Sequence, residues 1–101
     1  MSRAWIGLGA NLNEPAAGVQ RALTRLAALP HTELLRASSL YGSTPVGPAD
    51  QPDFINAVAE LETGLEPEAL LDQLQALETE AGRVRTRHWG ERSLDLNILL
   101  Y

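Results

Sequence analysis

DFINAVAELET, residues 53–63, alternates with a period of two. Phe54, Asn56, Val58 and Glu60 share one face of such a run, and Ile55, Ala57, Ala59 and Leu61 share the other. The run is therefore read as a strand, Asp53–Thr63, with one apolar face. Gly64 breaks it, and Glu66-Pro67-Glu68 opens a helix with acids at its positive end. Leu70, Leu71, Leu74, Leu77 and Ala81 recur at helical spacing as the expected buried stripe, and Gly82 is the expected stop. Upstream, Gly42–Pro52 (GSTPVGPADQP) is too rich in glycine and proline for regular structure and reads as a long loop. Residues 33–41, ELLRASSLY, read as another strand. Before them Val19, Ala22, Leu23, Leu26 and Leu29 mark a first helix, with Arg21 and Arg25 outside. Asn13 is its expected N-cap, Pro15 lies in its first turn, and Pro30 ends it. Residues 4–9, AWIGLG, make a short buried strand. Downstream, residues 83–92 form a second long loop, and Leu94–Tyr101 is the last strand.

The resulting order is strand, helix, strand, strand, helix, strand. It predicts a single α+β domain over residues 1–101 of the ferredoxin-like βαββαβ type, an antiparallel four-stranded sheet with both helices on one face. The other face is left for a substrate, a partner or further residues. At 101 residues the chain can build one core. The 45% hydrophobic and 21% charged fractions are those of an ordinary globular protein. The absence of cysteine excludes disulfides and thiolate metal sites. No signal-peptide layout and no membrane span are visible, so the expected location is cytoplasmic, with no membrane partner. A net charge of −5 argues against nucleic acid as a partner.

All eight basic residues are arginines, and Arg83, Arg85, Arg87 and Arg92 fall in one segment, GRVRTRHWGERSLDLN, residues 82–97. Guanidinium forks match phosphate oxygens, and Trp89 among them offers a stacking face. The alternative is a solvated loop contacting the chain's own acids. On the last strand Asp95 and Asn97 point to one face, while Leu94, Leu96 and Ile98 point to the other. A carboxylate inside an apolar strand requires a partner. Either a hard cation such as Mg²⁺ or Arg92 meets that need. The segment as a whole suggests a nucleoside triphosphate with its metal. Phe54 and Asn56 combine an aromatic plate with an amide that both donates and accepts, which suits a flat heterocycle. Gln75 and Glu78 lie three apart near the end of the second helix, as a solvated face or the margin of a site. Gly7 and Gly9 lack the third glycine of a dinucleotide fingerprint, since that position is Leu12, and are read as serving close packing and a tight turn.

Taken together, IGLGANL, YGSTPVGPADQPDFINAV, LETEAGRVR and RHWGERSLDLNILLY resemble the 6-hydroxymethyl-7,8-dihydropterin pyrophosphokinase family over nearly the whole chain. The resemblance implies transfer of diphosphate from ATP to the hydroxymethyl group of the pterin in folate biosynthesis, releasing AMP. It implies that Ser43, Thr44, Val46, Phe54 and Asn56 form the pterin pocket. Gln75, Glu78, Arg85, Trp89 and Ile98 would face the nucleotide. Arg83 and Arg92 would be catalytic, holding phosphates during transfer. Asp95 and Asn97 would carry two Mg²⁺ ions.

Two departures stand out. The family motif reads L-D-L-D where this chain has Leu94-Asp95-Leu96-Asn97, so one carboxylate is replaced by an amide. The family pattern also continues past the position of Tyr101, with a second aromatic, further Arg and His contacts and cover for the open sheet face. The expectation is a family member without that C-terminal portion. Two other readings remain at this point: an impaired relative that binds pterin or nucleotide, and a ferredoxin-like interaction module that forms a homodimer through its uncovered sheet face.

Overall fold

Ser2–Ala10 forms β1, an inner strand of an antiparallel sheet, because its alternate residues can be buried on one side. Ala4, Ile6, Leu8 and Ala10 are buried against the helices. The computed structural model describes residues 1–12, 14–44, 52–82 and 94–101. After β1 come α1 (Pro15–Ala27), β2 (Thr32–Ala37), β3 (Tyr41–Ser43), β4 (Phe54–Thr63), α2 (Pro67–Glu80) and β5 (Asp95–Leu100). The sheet order is β2-β4-β1-β5, with each neighbouring pair antiparallel. Val19, Ala22 and Leu26 of α1 and Leu70, Leu74 and Leu77 of α2 join one core cluster with the buried residues of β1, β4 and β5. Both helices therefore cover the same sheet face. The expected α+β, ferredoxin-like plan holds.

The edge of the sheet differs from the expectation of four strands. Residues 33–41 do not form one strand. β2 stops at Ala37, and β3 begins at Tyr41 and pairs separately with β4, which makes five strands among the described residues. Gly42 and Ser43, expected in a loop, belong to β3. The cause lies at Ser38. Its N–H donates to Val58 O at 2.8 Å, while Val58 N–H donates to the Ser38 hydroxyl at 2.8 Å instead of to a backbone carbonyl. A serine side chain that takes over a ladder bond interrupts regular pairing. A register shift between Leu34 and Arg36 already bends the strand just before it.

Both helices are slightly narrower than their sequence stripes. α1 ends at Ala27, before Pro30, and Leu29 is buried just beyond it. Its N-cap is Glu14, in the left-handed region at φ 58° and without a side-chain cap bond; Asn13, the expected cap, lies outside the described residues. On α2 the buried positions are Leu70, Leu74, Leu77 and Glu78. That set is i, i+4, i+7 and i+8, a single stripe. Leu71 is 43% exposed and Ala81 is exposed, so neither belongs to the stripe. Gly82 ends the helix at φ +76°, donating to Thr79 O at 3.0 Å, as its glycine identity predicts.

The open end of the sheet is tied by Asn11. This residue is buried at the end of β1, and its Nδ2 donates to Pro52 O at 3.1 Å, just before β4. Leu70→Ala should cost about 2–5 kcal/mol in denaturant unfolding, since its whole side chain is buried. Leu71→Ala, one residue away on the exposed side, should cost less than about 1 kcal/mol.

Candidate functional site on the open sheet face

Directly paired residues on neighbouring antiparallel strands point to the same side of a sheet. Tyr41 pairs with Asn56, Asn56 with Gly9, and Gly9 with Asp95. These pairings lay one continuous row across β3, β4, β1 and β5, on the face away from the helices. A second row runs Val58, Gly7, Asn97, and a third runs Arg36, Glu60, Trp5, Leu100. Among the described residues, no helix covers this face. With adjacent strands about 4.8 Å apart, Asn56 and Asp95 are separated by roughly 10 Å across Gly9.

Gly9 shapes the first row. A Cβ added to it would come within 3.0 Å of Asn56 Oδ1 and 3.7 Å of Phe54 Cδ1. The bare backbone therefore forms a floor on which the Asn56 amide and the Phe54 ring edge rest. Asn56 is fixed from its other side. Its Nδ2 donates to Ser43 Oγ at 2.7 Å and, more weakly, to Tyr41 O at 3.4 Å. Both amide hydrogens thus point at β3, and Oδ1 is turned over Gly9 as an acceptor. Ser43 pairs with Phe54, which is half-buried, and Thr44 follows exposed. Of the expected cluster, Ser43, Phe54 and Asn56 meet at one end of the open face, and Thr44 follows Ser43 in the chain. The close-packing role expected of Gly7 and Gly9 is also found, but both lie within a strand and neither makes a turn.

Asp95 and Asn97 project to this face as the alternation predicts, while Leu94 and Leu96 are buried on the helix side. Ile98 pairs with Ile6 and packs against the core, so it lies on the side opposite Asp95 and Asn97. Gln75 and Glu78 do not share an environment: Gln75 is exposed, whereas Glu78 is buried and accepts from Leu96 N–H at 2.8 Å. Val46, Arg83, Arg85, Trp89 and Arg92 lie outside the described residues.

Among the described residues there is no cluster of three or more His, Cys, Asp or Glu able to hold an ion by itself. Asp95 supplies a carboxylate and Asn97 an amide oxygen, both hard donors on one strand face. That set fits Mg²⁺, which binds one or two protein oxygens and completes its shell with water and substrate phosphates. Also among the described residues, no helix is long and apolar enough to cross a membrane.

The residues that sequence reading did not single out are Gly9, as the floor, and Tyr41. The signal for Gly9 was its parity: it shares the alternation of Trp5 and Gly7 on β1, opposite Ala4, Ile6 and Leu8, and is itself buried. At the far end of the face, Glu60 is 8% exposed in its side chain and receives Arg3 Nη1 and Arg36 Nε, each at 2.6 Å. The hydrogen bond from Arg36, then that from Arg3, holds its carboxyl below the ordinary value of 4.5. Its stabilising contribution is therefore complete above pH 4.5 and is lost as pH falls through the lower folded-state value. Glu60→Gln should remove that part of the acid sensitivity. Urea midpoints measured at pH 7 and again well below pH 4 should differ less in the variant than in the parent chain.

The 7,8-dihydro-6-hydroxymethylpterin-pyrophosphokinase (HPPK) family model matches residues 5–101. A 2-amino-4-hydroxy-6-hydroxymethyldihydropteridine pyrophosphokinase of Haemophilus influenzae is 55% identical over 101 residues, covering 100% of this chain and 63% of the relative. One from Pseudomonas aeruginosa is 54% identical over 101 residues, covering 100% of this chain and 62% of the relative. A third, from Pseudomonas putida, is 50% identical over 99 residues, covering 98% of this chain and 82% of the relative. The chain thus spans somewhat less than two thirds of the length of the first two. A family match over nearly every residue, with half or more of the positions identical to these relatives, places this chain in the HPPK family.

Proposed function

We propose that this chain supplies the pterin-binding and metal-binding part of a pyrophosphokinase that moves diphosphate from ATP to 6-hydroxymethyl-7,8-dihydropterin. The observation that carries the reading is the row Asn56, Gly9, Asp95 on the open face. It puts an amide and aromatic suited to a flat heterocycle about 10 Å from a carboxylate suited to a phosphate-bound cation, with Gly9 as the paired residue between them. A ring held at one end of that row extends a substituent along the floor toward the other. The names of the relatives support the same substrates.

In this reading Phe54 stacks on the pterin ring. Asn56 Oδ1, held over Gly9 by the bonds from Nδ2 to Ser43 and Tyr41, accepts a ring N–H. The pterin hydroxymethyl oxygen attacks the β-phosphorus of ATP. The bond from that phosphorus to the α,β-bridging oxygen breaks, AMP leaves, and the hydroxymethyl proton passes to solvent. Asp95, with Asn97 beside it, would hold Mg²⁺, which when bound neutralises phosphate charge and acidifies the attacking hydroxyl. Arg83 and Arg92 are assigned to the phosphates, and Arg85, Trp89, Gln75 and Ile98 to the nucleotide, on the family pattern alone. The chemistry needs positioning and charge neutralisation rather than a covalent intermediate. Asn97 brings no charge, which favours weak metal binding and slow transfer over the full rate expected of two carboxylates. The proposed location is the cytoplasm, where folate synthesis draws on ATP.

The direct test is product identity. With ATP, the pterin and Mg²⁺, the chain should release AMP and not ADP. Pterin or nucleotide binding without AMP would leave an impaired relative, and no binding of either would overturn the reading. Restoring the second carboxylate by Asn97→Asp should raise the rate at limiting Mg²⁺ by about tenfold or more, equivalent to roughly 1.4 kcal/mol of added stabilisation. An unchanged rate in a Mg²⁺ titration would contradict that role. Gly9→Ala should weaken pterin binding by about tenfold in calorimetry, since its methyl must displace the Asn56 amide. Gly7→Ala meets the Leu99 side chain first, at 3.2 Å, rather than the Asn56 amide, and should bind pterin nearly as the parent does.

A further inference from the structure

Glu78 is an unusual residue for its place. It lies on the buried stripe of α2 together with Leu70, Leu74 and Leu77, and is 7% exposed. Buried carboxylates persist where hydrogen bonds replace lost water. One of the partners of Glu78 is the backbone of β5: Oε2 accepts from Leu96 N–H at 2.8 Å. Leu96 stands between Asp95 and Asn97, and β5 is the end strand of the sheet order, with β1 as its neighbour on one side. Backbone donors of an end strand have no ladder partner on the outer side.

We infer that Glu78 is a positioning residue: its carboxylate fastens the backbone of β5 to α2, and so holds Asp95 and Asn97 on the open face opposite Gly9 and Gly7. The inference rests on the reading of Asp95 and Asn97 as the metal-bearing pair. It assigns Glu78 a different task from a nucleotide contact. A slip of β5 by one residue would exchange the two sides of the strand, burying Asp95 and exposing Leu96. The pairing with β1 opposes such a slip on one side, where the ladder is already irregular, with a register shift between Trp5 and Ile6. The bond from Leu96 to Glu78 opposes it at the residue between the two site side chains. It also links α2, four residues before Gly82, to β5, which begins at Asp95.

Two conservative variants separate this role from charge-based ligation. Glu78→Gln keeps the length and an acceptor oxygen but loses the charge. Glu78→Asp keeps the charge but withdraws it by about 1.5 Å, beyond hydrogen-bond range of Leu96. If Glu78 positions β5, Gln is the better substitute; if it binds nucleotide or metal by charge, Asp is. The first readout is hydrogen exchange at the Leu96 amide by NMR. We expect exchange about tenfold faster or more in Glu78→Asp, and within about threefold of the parent in Glu78→Gln. The second is Mn²⁺ affinity, in the presence of a non-hydrolysable ATP analogue, followed through paramagnetic broadening of the Asp95 and Asn97 signals. It should weaken about tenfold in Glu78→Asp and change little in Glu78→Gln. The reverse order of the two variants, or unchanged Leu96 exchange in Glu78→Asp, would overturn the inference. Absence of AMP release by the parent chain would count against the proposed function and leave the exchange result standing.

Discussion

Helices cover one side of β1, and the strand's own period of two separates everything else. Ala4, Ile6, Leu8 and Ala10 go to the core, so Trp5, Gly7 and Gly9 must go to the other face. Every strand paired to β1 inherits that division through its register. β4 sends Ala57, Ala59 and Leu61 inward and presents Asn56, Val58 and Glu60 on the open face. β5 does the same with Leu96 inside and Asp95 and Asn97 outside, and Leu94 just before it is also buried. The polar residues of the site are therefore exposed at no cost to the core, because the alternation that buries their neighbours leaves them no other side.

The open face is also divided along its length. At one end Glu60 draws Arg3 and Arg36 onto itself, engaging two of the four arginines among the described residues. At the other end, the amide of Asn56 and the carboxylate of Asp95 are separated by bare glycine backbone. An anion approaching the face thus meets guanidiniums already paired at the Glu60 end. The other end offers an aromatic edge, an amide oxygen and the hard oxygen donors of Asp95 and Asn97.

Much of this was legible along the chain. The alternation in 53–63 named both faces of β4 before any pairing was known, and the spacing of Val19, Ala22 and Leu26 named the inner side of α1. Asp95 and Asn97 were placed correctly for the same reason, since a two-residue repeat is a local property. The edge strand was misread because a serine hydroxyl in place of a carbonyl at Ser38 leaves no periodic trace. Leu71 was misread because helical spacing marks a wide apolar stripe, whereas the element packed against α2 sets how much of that stripe is used. Glu78 was read as a margin of the site because a carboxylate near a helix end is usually solvated.

Sequence alone determined the order of elements, the two faces of each strand and the chemical types available to a site. Those follow from steric and hydrophobic periodicities that act over a few residues. Tertiary structure decided which residues meet. Asn56, Gly9 and Asp95 form one row only because β4 and β5 settle on either side of β1 in a particular register. That register comes from packing between segments far apart in the chain, which no local pattern encodes. The same packing set Gly9, read as serving close packing and a tight turn, beneath the Asn56 amide and gave Glu78 a backbone amide to hold.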